Sequence, residues 1–265
     1  MGSYVGLFKM TFKGELQYRA KAISGVVTQV FWGLMYIYLY TAFMGGKIIE
    51  GFSIPQMISY VWIGQAFFVL RFSDLPKNCD KEIENGNVCY KFVRPIDLYN
   101  QWYAEHFGYK LSATLIRCVP LTVVAFLLPK SMRLMLPTSF VSFGLFALAL
   151  ILGALTTSAI SMISVFFTFK TMSAKGTATI MNTICGVLGG MYVPLVFMPQ
   201  NIQNVLNYLP FRFIMDLPAR IYVGNIPPTE ALKFIGIAII WLIALIGLGK
   251  ILMKQASKNT IIQGG

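Results

Sequence analysis

Long apolar runs separated by short charged stretches divide this chain. Six runs stand out, at residues 22–43, 55–72, 103–128, 139–169, 178–198 and 232–253. The first holds 22 residues. At about 1.5 Å of rise per residue it reaches about 33 Å, enough to cross a hydrocarbon core of about 30 Å. The second is shorter and rich in aromatics. The third is densest from Leu111, with a weaker start at Tyr103, and the fourth is long enough to tilt or to extend past the interface. Backbone groups in lipid must find partners within their own segment, so runs of this kind predict helices. The expected fold class is all-α, an integral membrane protein with six transmembrane helices.

Ahead of the first run, Leu7, Phe8, Phe12 and Leu16 alternate with Lys9, Lys13 and Arg19. This pattern predicts an amphipathic interfacial helix over residues 1–21, lying on the membrane surface. The first apolar run starts too late and is too long for a cleavable signal.

Composition sharpens this picture. The chain has 265 residues, 56% apolar and only 12% charged, with a mean hydropathy of +0.66. Soluble domains carry about 25% charged residues. No polar stretch is long enough to fold alone, so residues 1–265 read as a single transmembrane domain. With the N-terminus placed inside, the inner segments hold Lys9, Lys13, Arg19, Lys21, Arg71, Lys77, Lys81, Lys91, Arg94, Lys110, Lys170, Lys175, Lys250, Lys254 and Lys258. The outer segments hold Lys47, Lys130, Arg133, Arg212, Arg220 and Lys233, a count of 15 against 6, with Arg117 inside a span. The bias puts both termini in the cytoplasm. It also accounts for the net charge of +12 without a nucleic-acid partner, which would need a basic face with its own fold. The partner implied by composition is the lipid bilayer.

Candidate chemistry within the spans is sparse. Cys79, Cys89, Cys118 and Cys185 show no C-x-x-C spacing, and His106 is the sole histidine, so no metal site is expected and reduced thiols are. His106 reads as an interfacial structural residue or, less simply, a proton relay. No G-x-x-x-x-G-K-[ST] motif occurs, and the ten acidic residues lie in loops or at span ends. No catalytic residues or cofactors are expected on this chain, and a pump driven by membrane carboxylates is poorly supported. Arg117 reads as a snorkelling residue or as one packed inside the bundle.

The most informative polar segment is residues 74–98. A helix over 76–84 can close at Asn85–Gly86, and a second short amphipathic stretch over 88–93 must stop before Pro95. Links between helices usually take about 2–8 residues, so a link this long reads as a docking surface, with a plain solvated loop as the alternative.

Two segments resemble a known family. Glu82-Ile83-Glu84-Asn85-Gly86, followed by an apolar patch and Arg94-Pro95-Ile96, resembles the segment after the second span in permeases of type-2 (type V) ABC exporters. The resemblance implies a coupling helix between helices 2 and 3, with Glu82, Glu84, Gly86, Arg94 and Pro95 contacting an ABC ATPase subunit. The Arg94–Pro95 version is similar to the branch of viologen and drug exporter permeases. The family often carries more basic residues near the acidic pair, where this chain has Asp80 and Lys81. Pro194-Leu195-Val196-Phe197-Met198-Pro199, then Leu209-Pro210-Phe211, resembles that family's re-entrant extracellular helical segment between helices 5 and 6. The prolines break any continuous helix. That segment is expected at 199–222, with Pro194, Pro199, Pro210 and Phe211 at its turns.

The family likeness implies ATP and Mg on a partner ATPase, and a second permease, with a non-identical partner preferred to an identical one. It implies a bacterial plasma-membrane location and export of a hydrophobic or amphiphilic molecule: drug-like compound, peptide or lipid. Trp32, Tyr36 and Tyr40 share one face of the first span, and Tyr60, Phe67, Phe68 and Arg71 lie around Gln65 in the second. The face reads as lipid-facing or as an aromatic path for an amphiphile or hydrophobic cation. The small polar stripe Gly153, Thr157, Ser161, Ser164 and Thr168, and the seam Asn182, Gly186 and Gly190, read first as close packing. The expected substrate pathway is Trp32, Tyr36, Gln65, Phe68, Asn182 and Met191. A membrane scaffold or sensor that recruits a partner through residues 74–98, and an intramembrane enzyme, are the alternatives.

Overall fold

The computed structural model describes residues 2–17, 19–49, 51–71, 74–92 and 96–259. Arg94 and Pro95 lie outside the described residues. The described residues form eleven α-helices. A short helix α1 (Gly2–Glu15) leads into α2 (Arg19–Met44). Then come α3 (Ile54–Ala66) with a 3-10 turn at Phe68–Arg71, the short helices α4 (Cys79–Glu84) and α5 (Cys89–Phe92), and the long helices α6 (Leu98–Leu127) and α7 (Phe140–Thr171). After α8 (Ala174–Leu188) the chain breaks into a 3-10 turn at Leu195–Phe197, α9 (Gln200–Leu206) and α10 (Arg212–Tyr222), and it ends on α11 (Pro228–Asn259).

Helix starts follow local chemistry. Gln56 Oε1 accepts from the backbone N–H of Ser53 at 2.9 Å, half of a capping box, and Pro55 stands in the first turn where its missing N–H costs nothing. Asp97 accepts from Asn100 N at 2.8 Å to start α6, and Ser139 from Ser142 N at 3.0 Å to start α7.

Four helices are long and apolar enough to cross a membrane: Ser24–Met44, Leu98–Leu127, Phe140–Thr171 and Pro228–Ser257. The runs at 22–43, 103–128, 139–169 and 232–253 fall on these helices, with the third starting earlier than its dense apolar part. The runs at 55–72 and 178–198 take a different form. Helix α3 has 13 residues and α8 has 15, about 20 and 22 Å of α-helix.

The reasons for these short helices differ. Beyond the end of α3, in the 3-10 turn, side chains take the carbonyls of Val69 and Leu70. The Lys110 ammonium donates to Val69 O at 2.9 Å and the Thr157 hydroxyl to Leu70 O at 2.9 Å. At the end of α8 the cause is local: Gly189 caps the helix and Gly190 has φ +77°, a left-handed conformation that turns the chain back. The broken stretch thus begins at Gly189, ahead of the expected 199.

Helix α10 forms the centre of the bundle, packed between α3, α7 and α11. Every residue from Arg212 to Tyr222 is buried. It approaches α7 at Gly153, where an added Cβ would lie 2.7 Å from Ile214 O and 3.1 Å from Phe213 O. The small residue lets the two backbones touch. On the other flank, Gly33 of α2 admits the Trp62 ring, whose Nε1 donates to Met132 O at 2.7 Å.

Gly153→Leu is expected to cost about 1–3 kcal/mol through overpacking, read as a lower unfolding midpoint in detergent. Gly144→Leu, nine residues earlier on α7 where nothing lies within 4 Å, should leave that midpoint unchanged.

Candidate functional site

Three features carry candidate function: the segment between α3 and α6, a buried ionic centre on α10, and an aromatic ladder on α2.

In the first, α4 turns one side inward and one side out. Cys79, Ile83 and Val88 are buried against Tyr99 and Trp102 of α6, Met162 and Val165 of α7 and Met253 of α11. The α-helix ends at Asn85, and Gly86 follows at φ +69° with open space around it. Val88 N returns a hydrogen bond to Glu82 O at 2.9 Å, folding α5 against α4. Glu82 also pairs with Lys91 at 2.6 Å, and Lys91 lies 5.3 Å from the centre of the Trp102 ring. Glu82 is therefore committed within the segment. The exposed face is Lys81, Glu84, Asn85, Gly86, Asn87 and Tyr90, with Tyr90 72% exposed. Burial first, then the neighbouring Glu82 charge, pushes the Cys79 thiol well above its ordinary range.

The segment is tied to the rest at several points. Lys77 pairs with Glu15 at the end of α1 at 3.1 Å, and the Asp97 N–H donates to the Tyr4 hydroxyl at 3.1 Å. Lys110, fully buried on α6, holds Asp74 at 3.0 Å as well as the Val69 carbonyl. Helix α1 lies along α6, with Phe8 stacked on Phe107 at 5.5 Å and its backbone seated on Gly108.

The ionic centre follows from spacing. Arg212, Asp216 and Arg220 stand four residues apart on α10, so their side chains share one face. Asp216 accepts from Arg212 at 2.9 Å, from Arg220 at 3.2 Å and from the Tyr60 hydroxyl of α3 at 2.9 Å. Arg212 lies 4.5 Å from the centre of the Phe234 ring and Arg220 5.5 Å from that of Phe52. All three charges are buried.

Along α2, Trp32, Tyr36 and Tyr40 form a ladder with ring centres 5.9 and 5.6 Å apart. Phe197, from the turn after α8, continues it at 5.4 Å from Tyr40. Trp32 is 42% exposed and both tyrosines are half-buried, so one side of the ladder is open.

The residues singled out from sequence scatter over these features. Trp32 and Tyr36 stand together on the ladder. Gln65 is buried in α3, and Phe68 is half-buried in the following turn. Asn182 and Met191 are half-buried on α8 and just beyond it, while contact between the ladder and the stretch after α8 runs through Phe197. Pro194 precedes the 3-10 turn, Pro199 caps α9, and Pro210 and Phe211 lead into α10, with Pro194 and Pro210 buried.

Four charges differ from their expected setting. Arg212 and Arg220 are inside the bundle, and Lys110 is inside α6. Arg71 folds back so that its guanidinium fills the space beside Gly64. His106 is buried, its Nδ1 3.0 Å from Ser158 Oγ of α7, rather than interfacial. Arg117 lies across α2 at Gly25, where an added Cβ would be 3.3 Å from its guanidinium carbon. Sequence reading missed Tyr90, the Lys110–Asp74 pair and the Asp216 centre. The i, i+4, i+8 alternation of Arg, Asp and Arg was the available signal for the last.

Asp216→Asn leaves two buried guanidiniums short of a counter-charge and is expected to cost about 3–5 kcal/mol. Tyr60→Phe is expected to cost about 1.5–3 kcal/mol, as loss of a hydrogen bond to a charged group. Denaturation of the two variants in detergent checks both. In single-cysteine variants, Cys79 is expected to react with N-ethylmaleimide at neutral pH at least about tenfold more slowly than the half-buried Cys89, because the buried thiol stays protonated; a mass-shift time course reads the ratio.

The family model for ABC-2 family transporter proteins matches residues 30–264, nearly the whole chain. No curated protein matches it significantly. The match takes in α3, α10, the segment around α4 and most of α2. The chain belongs to the ABC-2 family of transporter membrane proteins, as a permease component.

Proposed function

We propose that this permease is the transmembrane subunit of an ATP-binding cassette exporter that moves a hydrophobic or amphiphilic molecule out of the cell. ATP and Mg are bound and hydrolysed on separate ATPase subunits, and a second permease, non-identical by preference, completes the membrane part. The observation that carries this reading is the α4 segment. Its inner side is anchored on α6, α7 and α11, and its outer side presents Lys81, Glu84, Asn85, Gly86, Asn87 and Tyr90. A segment rigidly seated on long helices, with a free polar and aromatic face, is suited to receive force from a docked partner. Differential contact in two nucleotide states then shifts the helices.

On this reading α3 with its 3-10 turn, and α8 with the residues after it, complete six crossings beside the four long helices. The stretch from Gly189 to Tyr222 enters the bundle from the outer side and returns. Both termini face the cytoplasm of a bacterial cell. Removing the buried Lys110, Arg212 and Arg220, and Arg71, which folds back onto α3, from the count leaves 13 Lys and Arg inside and 4 outside, so the orientation bias keeps its sign. The Trp32–Tyr36–Tyr40 ladder supplies the pathway wall.

The test is co-purification of the chain with its ATPase and measurement of stimulated ATP hydrolysis in liposomes. Glu84→Arg combined with Tyr90→Ala changes only exposed side chains and is expected to lower stimulation at least about tenfold. Gly86→Pro is expected to abolish it, since Pro cannot adopt φ +69°. Intact stimulation in both variants overturns the coupling role. A complex that forms and hydrolyses ATP without moving any amphiphile identifies a scaffold or sensor.

A further inference from the structure

The aromatic ladder is not purely apolar at its base. Arg71 reaches back along α3, and its guanidinium occupies the volume that a side chain at residue 64 would fill; Gly64 leaves that volume free. Its ionisable neighbours there are Tyr60, then Tyr40 and Tyr36 of the ladder, and last Asp216. Its Nε is enclosed and has no hydrogen-bond partner, while the residue as a whole keeps partial exposure.

Charge balance around it is incomplete. Among the described residues, three guanidiniums, Arg71, Arg212 and Arg220, stand around one carboxylate, that of Asp216. That carboxylate is already taken by Arg212, Arg220 and Tyr60. Among the described residues no carboxylate stands within ion-pair distance of Arg71. An enclosed guanidinium without a counter-ion is costly, and an arriving anion relieves that cost. A guanidinium also presents a planar fork of donors suited to carboxylate, sulfonate or phosphate oxygens.

We infer that the open side of the α2 ladder and the end of α3 together form a groove that binds an amphiphile with an anionic head group, the head at Arg71 and the apolar part along Trp32, Tyr36, Tyr40 and Phe197. This deepens the exporter reading by fixing the sign of the ligand's charge. It reverses the expectation of a hydrophobic cation, because a cation entering beside Arg71 meets like charge before it can use the rings.

The test measures binding to the purified permease in zwitterionic nanodiscs, with no ATPase present, so its result stands apart from the outcome of the coupling experiments. The probes are 9,10-dibromostearate, the matching dibrominated alkylamine and the matching alcohol. The part of tryptophan quenching that Trp32→Phe removes reports the groove. The carboxylate is expected to bind about tenfold more tightly than the alcohol, and the amine no better than the alcohol. Arg71→Gln, and Gly64→Ala, which keeps the charge but displaces it, should each erase the difference, whereas Arg71→Lys retains part of it. If Arg71→Gln fails to fold, the wild-type comparison and Gly64→Ala decide. Dibrominated phosphatidylglycerol quenching as strongly as stearate identifies a membrane lipid as the occupant; stearate alone identifies a single-chain amphiphile. Equal affinities for the three head groups, or a preference that survives both Arg71→Gln and Gly64→Ala, overturns the inference.

Discussion

A peptide carbonyl without a partner is costly inside an apolar bundle, and that constraint shapes the main breaks between the described helices of this permease. The chain leaves regular helix after Ala66, after Leu127, after Leu188 and around Asn207. At each place a side chain takes a released carbonyl. Lys110 takes Val69 and Thr157 takes Leu70; Trp62 takes Met132 and Tyr222 takes Met135. Gln203 takes Met198, Arg212 takes Asn207 and Trp241 takes Tyr208. Gln56 takes Val223 where α10 ends. The breaks after α3, after α6 and after α10 are therefore tertiary structure, written jointly by distant parts of the chain, whereas Gln203 on Met198 and Arg212 on Asn207 act across five residues.

The same donors bring charge and polarity into the bundle, which needs balancing in turn. Lys110 is balanced by Asp74, and that pairing fixes the start of the α4 segment to α6. Arg212 is balanced by Asp216, which draws in Arg220 and Tyr60 and so ties α10 to α3. Helix α10 can then sit at the centre of the bundle as a short helix buried over its whole length. Backbone satisfaction, charge pairing and the placement of the candidate sites are one problem here rather than three.

This explains which parts the amino-acid order reveals. The long runs are legible because lipid selects apolar length, and α2, α6, α7 and α11 carry them in full. The turn at Gly86 is legible because Asn85–Gly86 is a local stop. The end of α3 is not, since Phe67, Phe68, Val69 and Leu70 are as apolar as the helix before them. The side chains that take the Val69 and Leu70 carbonyls in the turn after it are 41 and 87 residues away, at Lys110 and Thr157. Lys110 itself looks like a loop charge because it adjoins the dense apolar run from Leu111, and only the fold shows it to be internal. Arg71 has the same ambiguity, as its backbone lies at the end of a run while its guanidinium lies a helix turn or more back. Glu82 and Glu84 are alike in sequence, yet only Glu84 is exposed, because Lys91 folds over to hold Glu82.

The two ties between α1 and the α4 segment have a mechanical meaning. Lys77 on Glu15 grips the segment near its start, and Tyr4 on the Asp97 N–H grips it at its end. A body fastened at one point transmits only a push or a pull. Fastened at two points along a helix, it also transmits torque. A partner pressing off-centre on Glu84 or Tyr90 would then roll α1 along α6, turning a short stroke into rotation of α1 about its own axis.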